Sequence, residues 1–274
     1  MNMERHNLHT HTYLCKHAEG TVDDYCKAAI DSGLTILGFS DHTPHVDGRW
    51  IKSRMALEEF PQYVADVRKA QRQYADKMTI LLGLEYEYIP AEKSFVEDEL
   101  FGKYAIDYLI GAVHDFPMPG AGVWNAPFNP SDWIFYRKNV TQQDLCSMTD
   151  YILASMETRL FIYFAHPDMF GIGWRGWDDT ATDCARAICQ ASNAYNIPLE
   201  INAYGIRKPK VIDNDVERWQ YPLRRFWEIA GEEGVTAVIG ADAHRPQDVW
   251  CGMEIAEQFA AEYGIKLVDA AELV

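Results

Sequence analysis

Nine histidines occur in this chain, and seven of them stand in five short clusters suited to metal ligation. The clusters are His9-Thr10-His11 with His17 just beyond, Asp41-His42, Val113-His114, Ala165-His166-Pro167 and Asp242-Ala243-His244. Neutral imidazoles and carboxylates are the donors that a divalent transition ion takes. His9 and His11 are i and i+2 on an extended segment, so both rings point the same way and reach one ion. Asp242 and His244 repeat that spacing. Glu85 closes the apolar run Ile80–Leu84 and offers a carboxylate able to bridge two ions; Glu87, two residues on, shares its face. One histidine at a strand end is commonly a capped or exposed residue. Seven of them, with carboxylates beside them, exceed the needs of one ion and point to a multinuclear site. His6 and His45 belong to no pair and read as structural or surface residues. Cys15, between His11 and His17, reads as a small buried loop residue rather than a ligand.

These donors need a scaffold that brings strand ends together. Short apolar runs near residues 5–9, 35–39, 78–84, 107–113, 160–165, 198–202 and 235–240 read as strands, with helical patterns between them. Thr21 and Asp24 form a capping-box pattern at the first helix. Phe60, Tyr63, Val64 and Val67 follow helical spacing. Gly33 and Gly234 stand where helices should stop before strands. Strands alternating with helices predict an α/β fold with a parallel sheet. The donors sit at the ends of six of the seven runs. An open sheet gathers ligands at one switch point, whereas a barrel brings every strand end to one mouth, so a barrel is expected. The stretches 86–104 and 115–142 are long and rich in Pro, Gly and aromatics (Phe116, Trp124, Phe128, Trp133, Phe135) and read as ordered covers walling a pocket.

The chain has 274 residues, 48% of them hydrophobic, enough for a sizeable core, and residues 1–274 are read as one domain. Its formal charge of −16 repels phosphate backbones and argues against long nucleic acids, though not against a small phosphorylated substrate, because bound cations invert the local field. No apolar run approaches the length of a membrane span, and the polar start Met1–Arg5 does not read as a secretory leader. Cytoplasmic placement is expected, and the six cysteines, lacking any C-x-x-C pair, are expected as free thiols.

The ordered motifs H-T-H at 9–11, C-K-H-A at 15–18, F-S-D-H at 39–42, G-L-E at 83–85, G-A-V-H at 111–114, F-A-H-P at 164–167 and G-A-D-A-H-R-P at 240–246 resemble the polymerase and histidinol phosphatase (PHP) superfamily across nearly the whole chain. The resemblance implies a distorted (β/α)7 TIM-like barrel holding three divalent ions of zinc, iron or manganese. Carried over position by position, one ion would take His9, His11, Glu85 and Asp242. A second would share Glu85 and add His114 and His166, and a third would take His17, His42 and His244. Leu199 through Pro209 resembles the L-E-I-N…G-x-R-K segment of stand-alone histidinol-phosphate phosphatases, which implies that Arg207, helped by Lys208, binds the substrate phosphate; a guanidinium fork suits a phosphoryl group. The chain departs from that pattern after His114 and at Tyr204, positions expected near a leaving group.

The expected reaction is hydrolysis of a small phosphate monoester, L-histidinol phosphate first, by a metal-bridging hydroxide with Glu85, Asp242, His114 and Arg207 in the catalytic set. Asp115, Asp168 and His45 are candidate proton donors, and Glu87, Asp115 and Asp168 could form an acidic pocket for an ammonium group. A phosphodiesterase of small nucleotides and a metal-binding regulatory protein without turnover are the competing readings.

Overall fold

The structure is a computed structural model that describes residues 5–114 and 139–274. The expected cover at 115–142, with its five aromatics and Asp115, lies outside the described residues except for 139–142. The chain groups into two compact units. The first comprises Met1–Ile110, Gly240–Met253 and Asp269–Val274, the second Gly111–Ile239 and Glu254–Val268.

In the first unit, β1 (His6–Asn7), β2 (Ile36–Phe39) and β3 (Thr79–Tyr86) are parallel neighbours, and β4 (Tyr108–Gly111) follows β3 in sheet order. Between β1 and β2 runs α1 (Val22–Asp31), opened by the expected capping box: Thr21 Oγ1 accepts from the Asp24 amide, and the Asp24 carboxylate accepts from the Thr21 amide at 2.8 Å. Gly33 stops it with φ of +74°, a conformation that a side chain would strain. Helix α2 (Phe60–Gln73) buries Phe60, Tyr63, Val67 and Ala70, one apolar stripe at helical spacing. The stretch 86–104, expected as an ordered cover, is mostly helical, with a wide helix at Phe95–Lys103 that buries Val96 and Leu100. Its apolar residues sit at helical intervals, a pattern masked in the sequence by Pro90 and Gly102.

Tyr108 organises the interior of this sheet. Its fully buried ring crosses to β1 and β2, where the hydroxyl donates toward the carbonyls of Leu8 (2.8 Å) and Phe39 (3.1 Å). Gly83 in β3 makes the room, because a Cβ there would lie 2.3 Å from the ring.

The second unit contains α3 (Gln142–Glu157), β5 (Tyr163–Phe164), α4 (Asp179–Tyr195), β6 (Leu199–Asn202), the short α5 (Ala203–Arg207), the antiparallel hairpin β7 (Val211–Asp213) and β8 (Val216–Arg218), α6 (Arg224–Glu232), β9 (Thr236–Gly240), α7 (Met253–Glu262) and β10 (Lys266–Leu267). β5 pairs parallel to β6, and β9 parallel to β10. Helix α4 packs on α3 and on α6, and Gly234 ends the α6 turn with φ of +69°.

All seven expected strands are present, and the fold class is α/β with a mostly parallel sheet. The structure adds β10 and the β7–β8 hairpin. Both are too short to show periodicity in sequence. The run at 5–9 also contracts to His6–Asn7.

Candidate metal centre

Three local devices assemble the donors of the first unit. The β2–β3 register that pairs Phe39 with Leu82 runs on to an isolated bridge between His42 and Glu85. Thr43 then donates its amide and its hydroxyl to the Glu85 carbonyl, both at 2.9 Å. A second bridge joins Thr10 to Ala243, with the His11 amide on the Ala243 carbonyl at 2.9 Å, so the H-T-H and D-A-H segments lie side by side. Buried Asn7 ties the same two segments. Its Oδ1 accepts from the amides of His9 and Ala241, both at 3.1 Å, and its Nδ2 reaches the Val249 carbonyl.

The outcome is a dense donor set. His9 and His11 are fully buried, while Glu85 and Asp242 are 2% and 3% exposed. His9 Nε2 lies 3.6 Å from Glu85 Oε1 and 3.6 Å from Asp242 Oδ1. His11 Nε2 lies 3.4 Å from Glu85 Oε2 and 3.2 Å from Asp242 Oδ1. Four donors around a tetrahedral ion with bonds of about 2.1 Å stand about 3.4 Å apart. The four measured spacings lie close to that value.

The fit is also electrostatic. Burial lowers the pKa of His11, which favours the neutral imidazole, against the pull of the neighbouring Asp242 and Glu85 carboxylates. Burial alone would raise Asp242, but the imidazoles of His9, His11 and His244 outweigh it and hold the carboxyl well below its usual range. A buried carboxylate among buried imidazole nitrogens is a place that a cation satisfies.

Around His11 gather further rings. Its centroid is 4.5 Å from that of His42 and 4.4 Å from that of His244; His17 stands 5.2 Å from His42 and 4.9 Å from His244. Donor atoms of His11, His42 and His244 lie within 4.8 Å of one another, as do those of Cys15, His17 and His244. His42 Nδ1 is also 2.9 Å from Glu85 Oε2. Burial, with Asp41 nearby, pushes the Cys15 thiol up. Burial and His11 push His244 down to about 3. His17, exposed, is the donor at the rim.

Asp41 was legible only as the neighbour of His42. The structure buries it fully, gives it the Thr12 amide (2.9 Å) and hydroxyl (2.6 Å), and sets it 4.0 Å from His11 Nδ1. Burial raises its carboxyl to about 7. Glu87 faces Arg54, whose Nη2 is 2.7 Å away. His45 is 2% exposed and bonded to Glu92, so neither Glu87 nor His45 lies open to solvent.

The second unit holds the other two histidines together, with the rings of His114 and His166 5.0 Å apart and crossed edge to face. Buried Glu200, the glutamate of the L-E-I-N segment, accepts from the His166 amide (3.2 Å) and from Asn202 Nδ2 (2.8 Å). Asn202 Oδ1 in turn caps α5 through the amides of Tyr204 (2.8 Å) and Gly205 (3.4 Å). The helix ends on Arg207. Tyr204, the departure from the expected pattern, collects both cations: the Arg207 guanidinium is 5.2 Å and Lys208 Nζ 3.9 Å from its ring centre. Asp168 is fully enclosed and accepts from the Leu223 amide (2.6 Å) and Trp227 Nε1 (3.1 Å), a fold-holding arrangement.

No helix among the described residues is long and apolar enough to cross a membrane. A model of the PHP domain family matches residues 7–204. A protein of Deinococcus radiodurans named “Probable histidinol-phosphatase” is 32% identical over 250 residues, covering 88% of this chain and 86% of the relative. One of Schizosaccharomyces pombe with the same name is 25% identical over 278 residues, covering 94% and 86%. The crystal structure of histidinol phosphate phosphatase from Lactococcus lactis, complexed with zinc, L-histidinol and phosphate, shares the fold at a TM-score of 0.71 and 17% identity, covering 97% of this chain and 95% of that one. Donors spaced for a metal ion thus coincide with a family match over most of the sequence, and this chain belongs to the PHP domain family.

Proposed function

We propose that this protein is a metal-dependent phosphatase that hydrolyses L-histidinol phosphate to L-histidinol and phosphate. The observation that carries the hydrolase reading is the His9–His11–Glu85–Asp242 quartet, with donor spacings of 3.2–3.6 Å. The relatives named for histidinol-phosphatase activity carry the substrate.

In this reading three divalent ions of zinc, iron or manganese are held by nine residues: His9, His11, Glu85 and Asp242; His17, His42 and His244; and His114 with His166. Bound there, such ions act as Lewis acids on a phosphoryl group and lower the pKa of water toward neutrality. The protein supplies the rest. Two carboxylates offset part of the cationic charge, and neutral imidazoles give their lone pairs without first shedding protons. Arg207 and Lys208, gathered on Tyr204, take the phosphoryl oxygens and stabilise charge in the transition state. Glu200 and Asn202 hold His166 and the start of α5, which fixes where Arg207 stands. In this reading the enzyme works in the cytoplasm on a small phosphorylated substrate and not on long nucleic acid.

The test is phosphate release from L-histidinol phosphate with added Mn²⁺ or Zn²⁺, beside sugar phosphates, nucleoside monophosphates and a dinucleotide. Turnover of histidinol phosphate well above the panel supports the proposal; preference for another member sinks the substrate assignment.

A further inference from the structure

Beside Glu85, the first unit buries a second polar chain that the proposed chemistry does not use. It runs Glu92–His45–Arg54–Glu87, and the four residues are 3%, 2%, 1% and 4% exposed. Glu92 accepts from His45 Nδ1 (2.7 Å), the Val46 amide (2.9 Å) and the Tyr86 hydroxyl (3.3 Å). Arg54 Nη1 lies 3.0 Å from His45 Nε2 and 3.2 Å from the Thr43 carbonyl. A guanidinium has no acceptor, so His45 Nε2 must accept and His45 Nδ1 must carry the proton to Glu92. Arg54 is the cation of the chain. Its Nη2 stands 2.7 Å from Glu87 Oε2, while its face lies over Trp50, 4.6 Å from the ring centre.

Glu85 and Glu87 are i and i+2 at the end of β3, so the backbone points both carboxylates to one face. A second buried carboxylate two residues from Glu85 would compete for any cation bound there. Resting on the metal reading above, we propose that Arg54 neutralises Glu87 and withholds it from the ions, so that β3 delivers one metal carboxylate and not two. Arg54 is then a positioning residue with two contacts toward the centre. One occupies Glu87. The other holds the Thr43 carbonyl, and Thr43 binds the Glu85 carbonyl through its amide and hydroxyl. Cation–ring contact with Trp50 and the bond to His45 keep the guanidinium where it performs both.

The experiment measures metal ions per chain by mass spectrometry, and affinity by chelator competition, with Zn²⁺ and Mn²⁺ each as the probe. Four variants are compared: Glu87→Gln, Arg54→Met, Arg54→Met/Glu87→Gln and Glu85→Gln. Glu87→Gln is expected to keep the wild-type number of ions with little change in affinity. Arg54→Met is expected to bind an additional ion, or to shift affinity by about tenfold or more, through a released Glu87. That change should vanish in the double variant. Loss of an ion in Glu87→Gln would make Glu87 a ligand and overturn the proposal. So would an Arg54→Met effect that persists without Glu87, the mark of a structural role only. If Arg54→Met does not fold, Glu87→Gln still decides. Unchanged metal binding in Glu85→Gln would instead overturn the metal reading beneath both.

Discussion

Replacing Gly83 by Ala tests whether Tyr108 determines how β3 presents Glu85. An added Cβ would meet three atoms of the Tyr108 ring at 2.3, 2.4 and 2.5 Å. Ordinary carbon contacts begin near about 3.5 Å, so the ring must retreat by roughly 1.2 Å. Such overpacking costs about 1–3 kcal/mol. The retreat also pulls the Tyr108 hydroxyl from the Leu8 and Phe39 carbonyls, at about 1 kcal/mol more. A total of about 2–4 kcal/mol lowers Tm by about 4–16 °C in a chain of this size. The assay is thermal unfolding of Gly83→Ala, Tyr108→Ala and the double variant. Tyr108→Ala is itself costly, because it empties a buried ring site. With the ring gone, however, the alanine at 83 has nothing to strike, so the two costs should fail to add by about 2 kcal/mol or more. Simple additivity, or a Gly83→Ala Tm within about 2 °C of wild type, would refute the packing on which this rests. Glu85 lies two residues on, so Gly83→Ala should also weaken Zn²⁺ binding.

Chelation of bound metal should abolish phosphatase activity, with recovery on adding Mn²⁺ or Zn²⁺. Free ion at about a thousandfold over Kd should raise stability by about 4 kcal/mol, a gain read as Tm and lost in His11→Ala. Tyr204→Ala should lower kcat/KM about three- to tenfold, because Arg207 and Lys208 lose their shared ring; an unaltered kcat/KM would remove Tyr204 from substrate recognition. Thiol labelling of the native protein at pH 8 should find its fast site at Cys251, which is exposed, and Cys251→Ser should eliminate that phase. Burial pushes the thiols of Cys26 and Cys189 up to about 12, so both should react only after unfolding; rapid labelling of either would contradict their burial.

Local rules carried much of this protein. Thr21 with Asp24, and Gly33 and Gly234, act within a turn or two of chain, so their capping and stopping roles were readable from spacing. The same holds for the donor types, their i, i+2 pairs and the strand–helix alternation, because side-chain direction on an extended segment follows from the backbone alone. Tertiary structure decided which donors converge and which are held away. Asn7 binds Ala241 from 234 positions off, and Arg54 meets Glu87 across 33 residues, distances over which no periodic pattern extends. Asp242 adopts φ of +47° and His166 φ of +31°, conformations costing about 1–3 kcal/mol each that only the surrounding contacts sustain. Composition and spacing named the ligands available. The different surroundings of neighbours such as Glu85 and Glu87 rest on partners brought in by long-range pairing, because a buried charge is governed by what stands opposite it in space.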